Sequence, residues 1–273
     1  MATRRTFLQN GLAGGAIGLT AVRGIAAEGA DPSPEAAPPD ADSRLSIGIL
    51  IFPRMDQIDF TGPFEVLSRV PDAAVHVMAK EKAPIRDIKG LILTPEVTLA
   101  EAPPLDVLVV PGGPGQQALM EDEAVLAILR DRAAKARYVY SVCTGALVCG
   151  AAGLLKGVRA TTHWGSFDLL RYFGAIPVEE RVVLDGKILS AAGVTAGIDG
   201  ALRLAALLRG DRAAQAIQLG IEYAPEPPFQ SGTPKTAPPE VLEAVRAETR
   251  TLKAARTETA RRIAARLGVD AGE

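Results

Sequence analysis

Four short apolar runs constrain this chain more than any other feature. They are SIGILIF at 46–52, AVHVMA at 74–79, DVLVV at 106–110 and RYVYSV at 137–142. Runs rich in Val, Ile and Leu, apolar on both sides, make strands that must be covered on both sides. Helical patterns lie between and after them, at 62–68, 123–136, 144–152, 164–172, 196–208, 211–223 and 239–267. This alternation predicts an α/β fold with a mostly parallel sheet between helical layers. Two hairpins are expected as well: one over 85–94 turning near Lys89-Gly90, one from 181–184 and 187–191 about Asp185-Gly186.

The first 27 residues, MATRRTFLQNGLAGGAIGLTAVRGIAA, stand outside that pattern. Arg4 and Arg5 lead, a mild Gly/Ala-rich stretch covers 11–22, and Ala26 and Ala27 follow. Charged head, apolar middle and small-residue cut are the order of a secretory signal. Thr-Arg-Arg-Thr-Phe-Leu resembles a twin-arginine signal, so the expectation is a periplasmic protein carried by the twin-arginine export machinery. Residues 28–43, EGADPSPEAAPPDADS, can bury no core and read as a disordered tether. The folded domain is expected over 44–268, including the helix at 239–267.

Composition narrows the partners. Lys plus Arg is 30 and Asp plus Glu is 32, a net charge of −2; without 1–27 it is 27 against 32, or −5. No basic excess exists to neutralise a phosphate backbone, so no nucleic-acid partner is expected. No apolar run reaches the roughly 18–20 residues that span a bilayer, so no stable membrane insertion is expected. Two cysteines build no disulfide framework. A chain 48% hydrophobic and 23% charged is neither disordered nor coiled coil in its main state.

Ligands of a parallel α/β sheet bind beyond the carboxyl ends of its strands. Three sets of residues fall there: Asp59, Pro111-Gly112-Gly113-Pro114-Gly115, and Ser141-Val142-Cys143-Thr144-Gly145. Cys143 sits where a strand turns into a helix, and the small Gly145 and Ala146 permit that turn. A thiol at a helix N-terminus is biased toward thiolate. The geometry is that of a nucleophile elbow, whose oxyanion hole uses the next residue's N–H and a neighbouring loop. Gly113, in the Gly112-Gly113 turn, is the natural second donor. A free Cys is most often a small buried hydrophobe; the strand–Cys–Thr–Gly–helix context is what argues for a nucleophile. Cys149 lies about 9 Å up the same helix, too far for a disulfide, and reads as core. Asp59 is a proton carrier or a helix N-cap, with Asp56 an equally good cap. His76, between Val75 and Val77, reads as structural. His163 is a base, a polarising group or a satisfied hydrogen-bonding residue. Trp164 reads as packing, and Asp199 as capping or orienting a helix or as lining the site.

Together IDFTGPFEVL, PGGPG, SVCTGALVCGAAGLL and ATTHW resemble the ThiJ/PfpI superfamily, and within it the isonitrile hydratases. GVTAGIDGAL and EYAPEPPF carry the likeness into the C-terminal half. The resemblance implies a flavodoxin-like three-layer α/β sandwich, a homodimer, and no metal or organic cofactor. It implies Cys143 as nucleophile, Asp59 as proton carrier and Thr144 as their helper, with Gly113 and His163 lining the oxyanion or substrate site. PfpI-type proteases place His after the nucleophile, where this chain has Thr144; the ThiJ-like branch uses Glu where this chain has Asp59. The implied reaction is hydration of a small molecule, an isonitrile, to an N-substituted formamide through a thioimidate. Alternatives are a non-catalytic ligand-binding or chaperone-like protein and a glyoxalase- or deglycase-type hydrolase. The same CTGA and TTHW motifs occur in sensor domains of transcription regulators. Those carry a DNA-binding module of roughly 100 residues, and only about 50 residues follow Tyr223 here.

Overall fold

The computed structural model describes residues 44–272; the signal and tether expected over 1–43 lie outside the described residues. The strands are β1 (Leu45–Leu50), β2 (Ala73–Ala79), β3 (Ile85–Arg86), β4 (Ile92–Leu93), β5 (Val97–Thr98), β6 (Val107–Val110), β7 (Tyr138–Val142), β8 (Arg159–Ala160), β9 (Ile176–Pro177), β10 (Val182–Asp185) and β11 (Ile188–Ala191). The helices are α1 (Gln57–Leu67), α2 (Gln116–Leu119), α3 (Glu123–Lys135), α4 (Gly145–Ala151), α5 (Ala196–Arg209), α6 (Asp211–Gly220) and α7 (Pro239–Leu267), with a 3₁₀ helix at Trp164–Phe173.

Seven strands form one sheet in the order β10-β11-β7-β6-β1-β2-β5. Every pair in it is parallel except β10 against β11. The apolar runs explain the middle. Ile47, Ile49, Val107, Val109, Val139 and Tyr140 are fully buried, because helices cover both faces. α1 packs on α5 and α5 on α6; α4 packs against α3 and the 3₁₀ helix, which also carries α7. The chain leaves β1 toward β2 on one side and later enters β6 on the other. The switch point between β1 and β6 is where such sheets open a crevice at their carboxyl ends.

Several elements depart from the sequence reading. α1 starts five residues before the expected 62, because Asp56 caps it by accepting from the Ile58 N–H at 3.1 Å. Pro63 is accommodated inside the helix. The stretch at 164–173 is 3₁₀ rather than α-helical, begins at His163 and ends on Gly174 in a left-handed conformation. The apolar residues Val241, Leu242, Val245, Leu252 and Ile263 of α7 are expected to pack on the domain or a partner. Ile263 is buried with Arg256, Thr259, Ala260 and Ala264, whereas Val241 and Val245 are exposed on this chain. The pairs β3–β4 and β10–β11 are the two expected hairpins.

Candidate active site

β1, β6 and β7 are neighbours, so the segments after them meet. Cys143 follows β7 immediately and takes φ of +55°, a left-handed conformation unusual for a side chain with a Cβ. Its backbone is held on both sides. The Cys143 N–H donates to the Ala191 carbonyl at 3.0 Å, and the Thr162 hydroxyl donates to the Cys143 carbonyl at 2.7 Å. Strain of this kind persists where the surroundings over-determine it. Gly145 completes the elbow: a Cβ there would lie 2.0 Å from the Val110 carbonyl oxygen, inside any allowed contact.

Asp59 arrives from the third position of α1 and is fully buried. It does not cap the helix, since Asp56 does. Its Oδ2 accepts from the Gly112 N–H at 2.9 Å. Its Oδ1 has no well-aligned partner among the described residues, and the side chain that acts on the carboxyl is the Cys143 thiol. Burial pushes the Asp59 carboxyl up to about 7, helped by the nearby charge of Asp56 and opposed by the Gly112 bond. Burial and then the Asp59 charge push the Cys143 thiol up; the Thr144 N–H at the sulfur and Arg256 pull it back. Two acids that interact this closely titrate as a pair.

Thr144 is buried, and its Oγ1 accepts from the Gly113 N–H at 3.0 Å. Gly112 and Gly113 therefore spend their N–H groups inside the chain, on Asp59 and Thr144. Gly113 becomes a free donor only when the Thr144 hydroxyl turns away. The donor aimed at the sulfur is the Thr144 N–H. His163 caps the 3₁₀ helix, its Nδ1 accepting from Gly165 N–H at 3.2 Å. Burial, and then the Arg256 charge, lower it to about 4, so it is neutral near pH 7. It lines a cavity of about 610 Å³ with Thr162, Phe167, Arg181, Ala192 and Val194. That cavity reaches Thr162, one of the elbow's supports, and Ala192, which follows the other, while Cys143 itself is 5% exposed. Trp164 stands beside the His163 ring, at 5.4 Å between centroids. Asp199 binds Arg181 and the Tyr223 hydroxyl at the rim. Cys149 is buried in the core and its thiol is raised to about 12. His76 faces Glu96 at 3.7 Å on β2, away from the elbow.

Sequence reasoning missed Arg256. It enters from α7, 8% exposed, donating from Nη1 to Ser166 Oγ at 3.2 Å and from Nη2 toward the Gly113 carbonyl at 3.5 Å. The signal was its spacing: Leu252, Arg256, Thr259, Ala260 and Ile263 share one helical face. Among the described residues no group of three or more His, Cys, Asp or Glu is placed to hold a metal. No helix among them is long and apolar enough to cross a membrane.

The profile of the DJ-1/PfpI family matches residues 45–207, more than half of the chain. The chain belongs to the DJ-1/PfpI family. It is 52% identical to the isonitrile hydratase of Pseudomonas putida over 225 residues, covering 82% of this chain and 99% of that protein. A crystal structure of a ThiJ/PfpI family protein from Pseudomonas syringae superposes with a TM-score of 0.78 at 39% identity, covering 84% of this chain and 98% of that one. A DJ-1 superfamily protein from Salmonella typhimurium matches with a TM-score of 0.61 at 26% identity, covering 66% of this chain and 99% of that one. Within the DJ-1/PfpI frame the elbow, Asp59 and the 110–115 turn occupy the crevice of a flavodoxin-like sandwich.

Proposed function

We propose that this protein hydrates an isonitrile to an N-substituted formamide, with Cys143 as nucleophile and Asp59 as proton carrier. The observation that carries this reading is the buried thiol–carboxyl pair at the elbow of a chain 52% identical to an isonitrile hydratase. An isonitrile carbon has a lone pair and becomes electrophilic once protonated, so it needs an acid and a nucleophile at one atom. The Cys143–Asp59 pair would enter with one proton between them; the sulfur bonds to that carbon as this proton moves to it from Asp59, giving a thioimidate, R–N=CH–S–Cys, and an Asp59 carboxylate. Water then adds to the same carbon, one of its protons passes through Asp59 to the nitrogen and the other stays on Asp59, and the C–S bond breaks. The formamide leaves, Cys143 and Asp59 again hold one proton between them, and one water has been consumed. An acid raised to about 7 by its burial is matched to neutral pH for both steps. The near-complete burial of Cys143 also fits a terminal carbon that bears no substituent.

The assembly we propose is a homodimer, which would cover apolar side chains left exposed on this chain, among them Ile58, Leu219 and Val245. Purified protein is assayed against alkyl and aryl isonitriles, with formamide followed directly and 2-oxoaldehydes run in parallel. Formamide formation that vanishes in Cys143→Ala supports the reading. Turnover of 2-oxoaldehydes alone would replace it with a glyoxalase- or deglycase-type hydrolase.

A further inference from the structure

We infer that Arg256 is a positioning residue that holds the negative charge of the Cys143–Asp59 pair on the sulfur. This rests on reading Cys143 as the nucleophile. Arg256 differs from its neighbours on α7. Arg246, Lys253, Arg262 and Arg266 each form an ion pair with a carboxylate, and Arg250 and Arg261 are exposed to solvent. Arg256 is buried and forms none; its contacts are a serine hydroxyl and a distant carbonyl, and its Nε has no partner among the described residues. Burying an unpaired guanidinium is costly, so such a charge calls for an anion close by.

The anionisable group that acts on it is Cys143. The attachment is also mechanical: Arg256 reaches the Gly113 carbonyl, Gly113 N–H binds Thr144 Oγ1, and Thr144 N–H is directed at the sulfur. Every charged group around the pair fits one arrangement. His163, on the 3₁₀ helix, is neutral near pH 7. Asp56, on α1, is near Asp59 and favours a protonated Asp59. Tyr140 on β7 keeps its proton, which it donates to the Gly197 carbonyl at 2.6 Å. Asp168 is occupied by Lys253. Burial and the Asp59 charge work against a thiolate and Arg256 is the charge that works for it; when the pair holds one proton, Arg256 favours its passage from Sγ to the Asp59 carboxyl. No other bond changes. Arg256 faces a thiolate, and the acid needed at the substrate carbon is already loaded.

The test reads the resting protein, without substrate. Thiolate absorbance near 240 nm is recorded from about pH 5 to 9 as a difference against Cys143→Ala, and Cys143 alkylation by iodoacetamide is timed by mass. The protein should show a thiolate step near neutrality. Arg256→Gln should move that step up by about one pKa unit, roughly halving the absorbance at about pH 8 and slowing alkylation roughly tenfold at about pH 6; Arg256→Lys should recover part of both. A folded Arg256→Gln with unchanged absorbance and alkylation overturns the inference. So does an unmodified protein with no thiolate at about pH 8, which decides the matter where the Gln variant does not fold. Slowing of anionic iodoacetate alone would make Arg256 an anion-recruiting residue and also overturn it. Isonitrile turnover is scored separately: an Arg256-dependent thiolate in a protein without hydratase activity keeps this inference and removes the other.

Discussion

Replacing Asp59 with Asn should make the protein more stable at alkaline pH while removing activity. The carboxyl is fully buried, and it titrates at about 7 against an ordinary 3.8. About three pKa units at roughly 1.36 kcal/mol each give a linkage effect of about 4 kcal/mol. The sign follows from which state holds the proton. Between about pH 4 and 7 the unfolded chain has released it and the folded chain has not, so wild-type stability falls as pH rises through that window and levels off above it. The substituted amide carries no such cost, and its carbonyl oxygen can still accept from the Gly112 N–H. Ionisations away from the Cys143–Asp59 pair act equally on both proteins and cancel in the difference, and making the comparison in a Cys143→Ala background removes that of the thiol. Urea denaturation of the two at closely spaced pH values from about 4.5 to 8.5 should show curves that diverge from pH 5 upward, with the Asp59→Asn variant ahead by up to about 4 kcal/mol. Parallel curves would mean that Asp59 does not hold its proton in the folded state, and the acid role built on that proton would go with it.

Other substitutions separate the roles further. Asp59→Asn should cut isonitrile turnover by roughly 10²–10⁴ if proton transfer is its job, measured as kcat on whichever isonitrile is turned over. Cys143→Ala should abolish turnover with the fold intact, and Cys143→Ser should be nearly as inactive because a serine hydroxyl is a poor nucleophile at neutral pH. Gly145→Ala should cost several kcal/mol in denaturant titration, since its Cβ would meet backbone oxygens at 2.0 and 2.8 Å that have no rotamer to adjust. Replacing Arg4 and Arg5 with Lys should leave the protein in the cytosol, with intact mass showing the uncut 1–27 segment.

The parts of the fold legible in the sequence are those where local chemistry and burial agree. DVLVV and RYVYSV can only be central strands, and β6 and β7 are wholly buried. SVCTG places the elbow because Cys143 lies at the last possible strand residue and a small-residue helix follows. Less legible are features decided by tertiary partners. β5, two residues long, exists because β2 lends it a ladder. Ten amphipathic residues satisfy periods of 3.0 and 3.6 about equally, so 164–173 cannot be told as 3₁₀ from its pattern. In the sequence the donor of Gly113 looks free, because nothing in PGGPG announces that Asp59 takes the Gly112 N–H and Thr144 the next one. Arg256 hid among the many charges of α7; its place on the apolar stripe was visible, but its meaning depended on what the stripe covers.

The placement of α7 has a consequence for how the protein comes into being. Arg256 and Gly113 touch across 143 positions of chain, and Gln117 is held by the Ala255 carbonyl and the Thr259 hydroxyl of the same helix. A ribosome adding roughly 5–20 residues per second separates the birth of the elbow from that of its clamp by on the order of ten seconds. During that interval the sheet, the elbow and Asp59 can assemble, since all of them lie upstream. The 113–117 turn then has no helix across it, and the sulfur has no buried cation nearby. A chain stopped before 256 would thus resemble the finished domain by its sheet, while lacking the buried face of α7 and the cation near the sulfur. The last helix made sets the chemistry of a residue finished long before it.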